Sequence, residues 1–325
     1  MPSYSKRISW KLKNAYLKSI ILKNRFSSYS YPYKNNILVF GSGRSGTTWL
    51  SEILVKSVDH SVLINEPLKN AKSKEIDRLG FTGWGQYIPE NDQEWKEAHY
   101  LFQKLFSGRW FNPNHLHPIN SLQEIPLAKW WVHKFIRGNL LMPWIINNFS
   151  VVKPIYIIRN PFAVVNSQLQ HAGWGLAKNP DFPNGVQIPP FKYFNQFYQK
   201  YEEKFLKIRR IEELLALRWC MENEYILSHP YHNQKWITIM YESLLRDPKA
   251  EITRISQALA IPFRQNEMKE LRRPSKSAFD KDIPSDQSLQ SSKWKQQLSP
   301  IQKEYIEKIL DESDFKEIYS SKEVF

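Results

Sequence analysis

An apolar run that breaks into a glycine-rich turn and restarts as a helix constrains the fold of this chain more than any other feature. The stretch reads ILVFGSGRSGTTWLSEIL, from residue 37 to residue 54. A strand that passes through such a turn into a helix is a building unit of open α/β sheets, and ligands bind beyond the carboxyl end of the strand. The stretch therefore predicts an α/β protein with a loop resembling a phosphate loop.

Strand-like runs alternate with helical patterns over most of the chain. The runs are short, apolar and bounded by polar residues, glycine or proline, and they cover residues 36–40, 61–64, 129–133, 152–158 and 236–240. Helical patterns occupy residues 47–58, 161–170, 192–227 and 248–259. This alternation predicts a parallel sheet that is flanked by helices on both faces.

The domain organisation that follows is a basic N-terminal segment, residues 1–35, and a single domain, residues 36–325. Two irregular stretches, near residues 65–127 and 173–190, are rich in proline, glycine, tryptophan and asparagine. We expect both to be loop insertions, and we expect the first to lie over the ligand edge of the sheet. Long loops of this kind often form the walls of a binding site, and their aromatic residues could stack on sugars or pack on apolar chains.

The charge of the chain predicts an anionic partner. Lysine and arginine number 46 against 32 acidic residues, a formal net charge of +14, which suits nucleic acid, a membrane surface or a small polyanion. Residues 6–26 place apolar residues at helical spacing among lysines, so this segment is either a helix on an anionic membrane or a solvated helix packed on the domain. No run approaches the roughly 18 apolar residues of a membrane span. We expect a cytoplasmic protein, with peripheral membrane contact as the open alternative.

Cysteine and histidine usage gives no sign of a metal. The single cysteine, Cys220, excludes an intramolecular disulfide and a multi-cysteine metal site, and its apolar helical surroundings predict a buried core thiol. His115 and His117 stand beside prolines without a third ligand nearby in the sequence. We interpret them as loop residues and expect no metal.

The glycine-rich turn has features of an anion site. Residues 41–48 keep the G-x-x-x-x-G frame, but Thr47 occupies the position where a nucleotide triphosphatase carries lysine. The backbone N–H groups and the helix dipole would face the same anion. Gly43 and Gly46 permit the tight path, Arg44 adds a fixed charge, and hydroxyl donors come from Ser45, Thr47 and Thr48. A purely structural strand turn is the alternative.

A second basic site is expected on the same edge. The stretch VVKPIYIIRNPFAVVNS is another buried strand that ends in Arg159, with Pro161 at the first helical position. Two separated basic sites at one edge suit a ligand with two phosphate groups. Alone, Arg159 could equally be a surface charge paired with a carboxylate.

These two motifs, in this order, resemble those of sulfotransferases that use 3′-phosphoadenosine 5′-phosphosulfate (PAPS). GSGRSGTTWL is similar to the 5′-phosphosulfate loop of that family, and RNPFAVVNS is similar to its 3′-phosphate motif. The resemblance implies that Arg159 and Ser167 hold the 3′-phosphate. It implies that the 5′ side is held by Gly43, Arg44, Ser45, Gly46, Thr47, Thr48 and Trp49. The segments YESLLRDPKAEITRISQALAIPF and SSKWKQQLSPIQKEYIEKIL extend the resemblance over most of residues 36–310.

The motif departs from the family at two positions. Family members usually carry aspartate after the arginine and a basic residue after the proline, where this chain has Asn160 and Phe162. The resemblance therefore implies a 3′-phosphate site with less charge than usual.

The chemistry implied is sulfuryl transfer from PAPS to a hydroxyl of a carbohydrate, glycolipid or other small molecule. By analogy with phosphoryl transfer, Arg44 would stabilise the transferring group without a metal. Glu66 lies just past the second predicted strand, in SVLINEPL, and matches the catalytic base of Golgi-type carbohydrate and tyrosine sulfotransferases. Its alternative role is a structural carboxylate paired with Arg44 or Lys69.

A second candidate base is His133 in WWVHKFIRG, because cytosolic members of the family use a histidine from a comparable region. Lys134 and Arg137 would contact the donor sulfate or an anionic acceptor, or they are ordinary surface charges. The lack of a membrane span favours a soluble enzyme of the bacterial type. The rival interpretations are a phosphate-loop kinase or nucleotide hydrolase, and a basic protein that binds membranes or nucleic acid. For a sulfotransferase we expect no nucleic acid partner.

Overall fold

A five-stranded parallel sheet forms the centre of the computed structural model. The structure describes residues 15–20, 22–23, 32–69, 74–81, 83, 85–110, 115–121, 123–171, 181–264 and 291–313. The strands are β1 Asn36–Phe40, β2 Ser61–Asn65, β3 Trp130–Phe135, β4 Ile155–Ile158 and β5 Ile237–Met240. Their spatial order is β2-β3-β1-β4-β5, and every pair is parallel. The predicted α/β fold with a parallel sheet is confirmed.

Helices cover both faces of the sheet, as the continuous apolar strand β1 requires. Ile37 and Val39 pack against the helical residues 47–57, 241–246 and 248–259. Leu38 and Phe40 pack against the helical residues 96–106, 142–148, 161–169, 211–227 and 300–311. A strand that is buried on both faces reads as an unbroken apolar run. The helices whose bounds are described are α1 Thr47–Ser57, α2 Lys74–Arg78, α3 Lys96–Phe106, α4 Met142–Asn148, α5 Pro161–Leu169, α6 Phe194–Phe197, α7 Glu202–Lys207, α8 Ile211–Leu227, α9 Tyr241–Arg246, α10 Pro248–Leu259, α11 Trp294–Gln297 and α12 Pro300–Asp311. Residues 15–20 are helical as well.

The strand order reverses beside β1. The chain runs from β1 to β2 at one edge of the sheet and returns to β3, which lies between them. It then crosses to β4 and β5 on the other side of β1. In open α/β sheets the loops at such a switch point diverge and leave a crevice at the carboxyl ends of the strands. The loops that follow β1 and β4 flank this crevice.

The prediction of one long helix over residues 192–227 is wrong. The structure has α6, α7 and α8 there instead, and Ile208 and Arg210 have extended backbones between the last two. The break coincides with a contact that is distant in sequence. The Val186 N–H donates to the Phe205 carbonyl at 2.9 Å, and a Cβ on Gly185 would lie 2.2 Å from the Leu206 carbonyl oxygen. An approach this close requires glycine and an interrupted helix.

The first expected insertion covers more than one part of the sheet. Phe102 and Phe106 of α3 are fully buried in the core on one face. Residues 115–121 lie beside the edge strand β2, where Leu116 bridges Ile64 and the Asn120 amide donates to the Leu63 carbonyl at 2.8 Å. These two parts therefore cover a face of the sheet and its edge strand. Of the second expected insertion, residues 173–180 lie outside the described residues.

Part of the basic N-terminal segment shares a core with the sheet. Leu17 and Ile20 are buried against Val62, Ile64 and Trp131. This packing corresponds to the second interpretation of residues 6–26, a helix on the domain, since two of its apolar residues face the protein. Of residues 1–35, only 15–20, 22–23 and 32–35 belong to the described residues. In the described part of the chain, none of the helices is long and apolar enough to cross a membrane.

Candidate active site

The turn between β1 and α1 leaves the N-terminus of α1 open. Gly46 is the N-cap residue, with a left-handed φ of 92°, and neither a side-chain cap nor an acidic residue occupies the first turn of α1. The first N–H groups of a helix have no intrahelical partner, so uncapped ones suit an anion. The Ser45 hydroxyl is also buried without a hydrogen-bond partner among the residues described. The geometry therefore fits the predicted anion loop.

The two motifs expected to hold phosphate groups meet at Arg44. Its Nε donates to the Ser167 hydroxyl of α5 at 2.9 Å. Nη1 of Arg159, at the end of β4, donates to the Arg44 carbonyl at 3.1 Å. Arg44 itself has a left-handed φ of 76°, which turns its backbone out of the strand direction. The structure thus brings Arg44, Arg159 and Ser167 together.

This site concentrates positive charge. Burial lowers the pKa of Arg44, and the nearby Arg159 lowers it further, against an opposite effect of Tyr241. In the described part of the chain neither arginine makes an ion pair, and Arg159 Nε is buried without a hydrogen-bond partner. Two guanidinium groups that repel each other in a half-buried crevice favour a bound anion.

A second charged cluster lies next to the loop, on β2 and β3. The parallel register pairs Asn65 with Lys134, which brings Glu66, the next residue, to the same edge. Lys134 Nζ lies 3.1 Å from Glu66 Oε1 and 3.1 Å from the Thr48 hydroxyl, and Arg137 Nη1 lies 2.6 Å from Glu66 Oε2. Lys134 therefore connects the loop to Glu66, whose partners are Lys134 and Arg137 instead of Arg44 or Lys69.

The charge state of Glu66 follows from these contacts. Burial alone would raise the pKa of Glu66, but Lys134 and Arg137 outweigh this and hold it below its usual value. Burial lowers the pKa of Lys134, and the Glu66 carboxylate opposes that shift. Only 5% of the Lys134 side chain is exposed, against 27% for Arg137. Lys134 is accordingly not an ordinary surface charge, and Glu66 is ionised at neutral pH.

The structure does not bring His133 into this cluster. Successive side chains of a strand point to opposite faces, so His133 and Lys134 face opposite sides of the sheet. The His133 ring packs against Phe106 and Phe135, and Nε2 lies 2.8 Å from Asn36 Oδ1. Burial lowers the pKa of His133 to about 3. A neutral, buried imidazole bonded to Asn36 acts as a core residue.

A buried polar network behind the loop was not found from the sequence. Asn139 Oδ1 accepts from the Gly41 N–H at 3.0 Å. Glu222 Oε2 accepts from the Ser42 hydroxyl at 2.7 Å and from Asn139 Nδ2 at 2.9 Å. Burial raises the pKa of Glu222. The one sequence signal was a polar pair, Glu222 and Asn223, within the apolar helical pattern of α8.

The two departures from the family motif have structural roles. Asn160 caps α5, because its Oδ1 accepts from the Ala163 N–H at 3.2 Å, and its own N–H donates to Glu242 Oε1 at 2.8 Å. Phe162 stacks on Trp294 with ring centroids 4.6 Å apart. Asparagine avoids placing a second carboxylate beside Glu242, and phenylalanine joins the core.

The cysteine and the two loop histidines lie away from the anion site. Cys220 is buried in α8, and burial raises the pKa of its thiol to about 12, so it is unreactive. His115 and His117 are buried, and His117 Nε2 lies 3.4 Å from Glu52 Oε1. Among the described residues, no three histidine, cysteine or acidic side chains form a group that could hold a metal.

A family model described as "Sulfotransferase domain" matches residues 34–318, which is most of the chain. This protein belongs to the sulfotransferase family. The assignment to the PAPS-dependent sulfotransferases, made from the two motifs, is confirmed, and with it the enzyme class and PAPS as co-substrate.

Solved structures of sulfotransferases also resemble this one. The sulfotransferase domain of the Synechococcus PCC 7002 olefin synthase matches at 16% identity, over 87% of this chain and 96% of that one, with a TM-score of 0.44. The domain from the curacin biosynthetic pathway matches at 18% identity, over 85% and 96%, with a TM-score of 0.45. Mouse sulfotransferase SULT7A1 complexed with PAP matches at 15% identity, over 90% and 88%, with a TM-score of 0.39. No curated protein matches. At these TM-scores the family match alone carries the assignment.

Proposed function

We propose that this sulfotransferase moves the sulfuryl group of PAPS to a hydroxyl of a carbohydrate, glycolipid or other small molecule and releases adenosine 3′,5′-bisphosphate (PAP). The observation that supports this best is the position of Lys134. Its ammonium group hydrogen-bonds both the Thr48 hydroxyl of the anion loop and the Glu66 carboxylate. A donor bound in the loop and an acceptor hydroxyl at Glu66 would then lie next to each other, on either side of the Lys134 side chain.

The donor would bind across the two motifs. The loop backbone and the first turn of α1 would hold the 5′-phosphosulfate, with Arg44 against the transferring group; the loop residues in this role are Gly43, Ser45, Gly46, Thr47, Thr48 and Trp49. Arg159 and Ser167 would hold the 3′-phosphate. The unpaired charge of Arg44 and Arg159 and the buried, unpartnered Ser45 hydroxyl support this assignment.

In the transfer step, the acceptor oxygen would attack the sulfur while the bond from sulfur to the bridging oxygen of PAPS breaks. The electron pair of that bond goes to the 5′-phosphate of PAP, and the acceptor proton goes to Glu66. Arg44 and Lys134 would stabilise the negative charge that develops on the bridging oxygen. Arg137, the more exposed partner of Glu66, would face the acceptor and contact an anionic group on it. A general base has to lie within hydrogen-bond reach of the proton, and His133 has no such access.

Calorimetric titration with PAP tests the donor site. We expect wild-type protein to bind PAP, Arg159→Ala to weaken binding by about 30-fold or more because a desolvated charge pair is lost, and ATP with Mg²⁺ not to bind. Phe149→Leu, which removes a buried ring from the aromatic cluster around Trp144, serves as the control. Binding of ATP with Mg²⁺ in place of PAP would favour the kinase interpretation.

Turnover tests the base. Glu66→Gln keeps the shape of the side chain and removes its basicity, so we expect kcat to fall by about 10²- to 10⁴-fold while PAP still binds. His133→Gln should retain kcat at temperatures where it is folded. PAP release is measured with the best acceptor from a panel of saccharides, glycolipids and small alcohols. The reverse pattern, with His133→Gln inactive and Glu66→Gln active, would exchange the two assignments.

The acceptor class, carbohydrate sulfation and a cytoplasmic location stay predictions. The membrane hypothesis for residues 6–26 loses support, since Leu17 and Ile20 are used inside the protein.

A further inference from the structure

Tyr241 contacts both anion-binding motifs, although the sequence gives it no role. It is the first residue of α9 and follows directly after β5, so it lies at the same edge of the sheet as the loop and Arg159. Its ring is buried. A buried aromatic ring at the carboxyl end of a strand is placed to support ligand-binding groups.

The first contact is with Arg159. The guanidinium carbon lies 4.4 Å from the centroid of the Tyr241 ring, within the range of a cation–π interaction. Stacking on a ring face orients the plane of the guanidinium and leaves its N–H groups free at the edge. One of these N–H groups already donates to the Arg44 carbonyl. The next residue, Glu242, accepts from the Asn160 N–H and so fixes the backbone beside Arg159.

The second contact is with the anion loop. A Cβ built on Gly46 would lie 2.4 Å from Cδ2 of the Tyr241 ring, so the ring packs directly against the backbone at the N-cap of α1. The ring of Trp49, in the first turn of α1, meets Tyr241 edge to face with centroids 5.7 Å apart. One side chain therefore abuts the loop and stacks on the arginine that belongs to the other motif.

We propose that Tyr241 is a positioning residue for the donor nucleotide: its ring holds the Arg159 guanidinium and the N-terminus of α1 at the separation that PAP requires. This inference rests on the proposed function, because it presumes that both motifs bind one nucleotide. It predicts that the ring, and not the hydroxyl, carries the effect, since both contacts are made by ring atoms.

A double-mutant cycle on PAP affinity tests this inference. Calorimetry would compare the wild type with Tyr241→Phe, Tyr241→Leu, Arg159→Lys and the Tyr241→Leu/Arg159→Lys double variant. Arg159→Lys keeps the charge but loses the planar group that stacks. Phe149→Leu, which removes a buried ring from the aromatic cluster around Trp144 on another face, is the control for general loosening. If Tyr241→Leu does not fold, Tyr241→Met takes its place in the cycle.

We expect Tyr241→Leu and Arg159→Lys each to weaken PAP binding by about tenfold. The double variant should bind PAP no more weakly than whichever single variant has the lower affinity, because the effects of two coupled residues are not additive. Tyr241→Phe should stay within about twofold of wild type, as should Phe149→Leu. The inference is wrong if Tyr241→Leu binds PAP like the wild type, if the two single effects multiply, or if Phe149→Leu loses affinity equally. A wild type that does not bind PAP overturns the proposed function itself.

Discussion

At the scale of single residues, the contacts and backbone conformation of Glu66 bear on its proposed role as the base. Its carboxylate is held between Lys134 and Arg137, and its backbone has a left-handed φ of 52°, a conformation that is uncommon outside glycine and is often found at functional sites. A carboxylate with a lowered pKa is a weak base. This suffices for a transfer with a loose transition state, as in kinases, where an aspartate accepts the acceptor's proton. Orientation of the acceptor would then contribute more than basicity.

The pH profile of turnover reports the effect of the two cations on Glu66. Lys134→Met removes a charge that lowers the pKa of Glu66, so the folded enzyme should take up the inactivating proton at a higher pH. The acid limb of kcat/KM should therefore move to higher pH. Arg137→Gln should move it in the same direction without disturbing the Lys134 contact to Thr48. PAP release is measured across the acid range, and a limb that stays in place or moves to lower pH would contradict Glu66 as the base.

At the scale of elements, local sequence patterns predict those elements whose limits depend on their own residues. All five strands were predicted to within three residues at either end, because a buried parallel strand is an unbroken apolar run. The helix over residues 192–227 was wrong because a contact with Gly185, distant in sequence, interrupts it. For the same reason the positions of Arg44, Arg159 and Glu66 at one edge of the sheet could be predicted from motifs at strand ends. The contacts of Asn139, Glu222 and Tyr241 join elements that are distant in sequence, so they could not be predicted.

The junction of β1 and α1 gives a prediction at this scale. Gly46→Ala would place a Cβ at a left-handed φ and within 2.4 Å of the Tyr241 ring. Gly80→Ala is the matched control, since its φ of 68° is also left-handed but nothing lies within 4 Å. We expect Gly80→Ala to cost about 1 kcal/mol of unfolding free energy, and Gly46→Ala to cost about 1–3 kcal/mol more because of overpacking. Urea unfolding measures both, and equal costs would show that the ring yields to the added methyl group.

At the scale of the whole molecule, the question is whether the N-terminal segment belongs to the domain. The net charge of +14 and the apolar residues spaced among the lysines of residues 6–26 are compatible with a helix on an anionic membrane and with a helix packed on the domain. An interfacial helix turns its apolar side chains to lipid, whereas Leu17 and Ile20 turn theirs to β2 and β3. The membrane interpretation requires these side chains to face lipid, whereas the other interpretation requires them to be buried in the domain. The unfolding free energy of variants in this segment therefore distinguishes the two.

Leu17→Ala should destabilise the whole domain. The side chain is only 1% exposed and packs in a core with Val62, Ile64 and Trp131, so its truncation should cost about 2–4 kcal/mol of unfolding free energy. Leu22→Ala, at a side chain that is 54% exposed, should cost no more than about 0.5 kcal/mol. Urea unfolding in the absence of lipid measures both variants. If Leu17→Ala were as stable as Leu22→Ala, the segment would contribute nothing to the fold, and its apolar side would be available to a membrane. A loss confined to Leu17→Ala would make the segment part of the sulfotransferase domain, and its charge would then add to the positive field that attracts an anionic nucleotide.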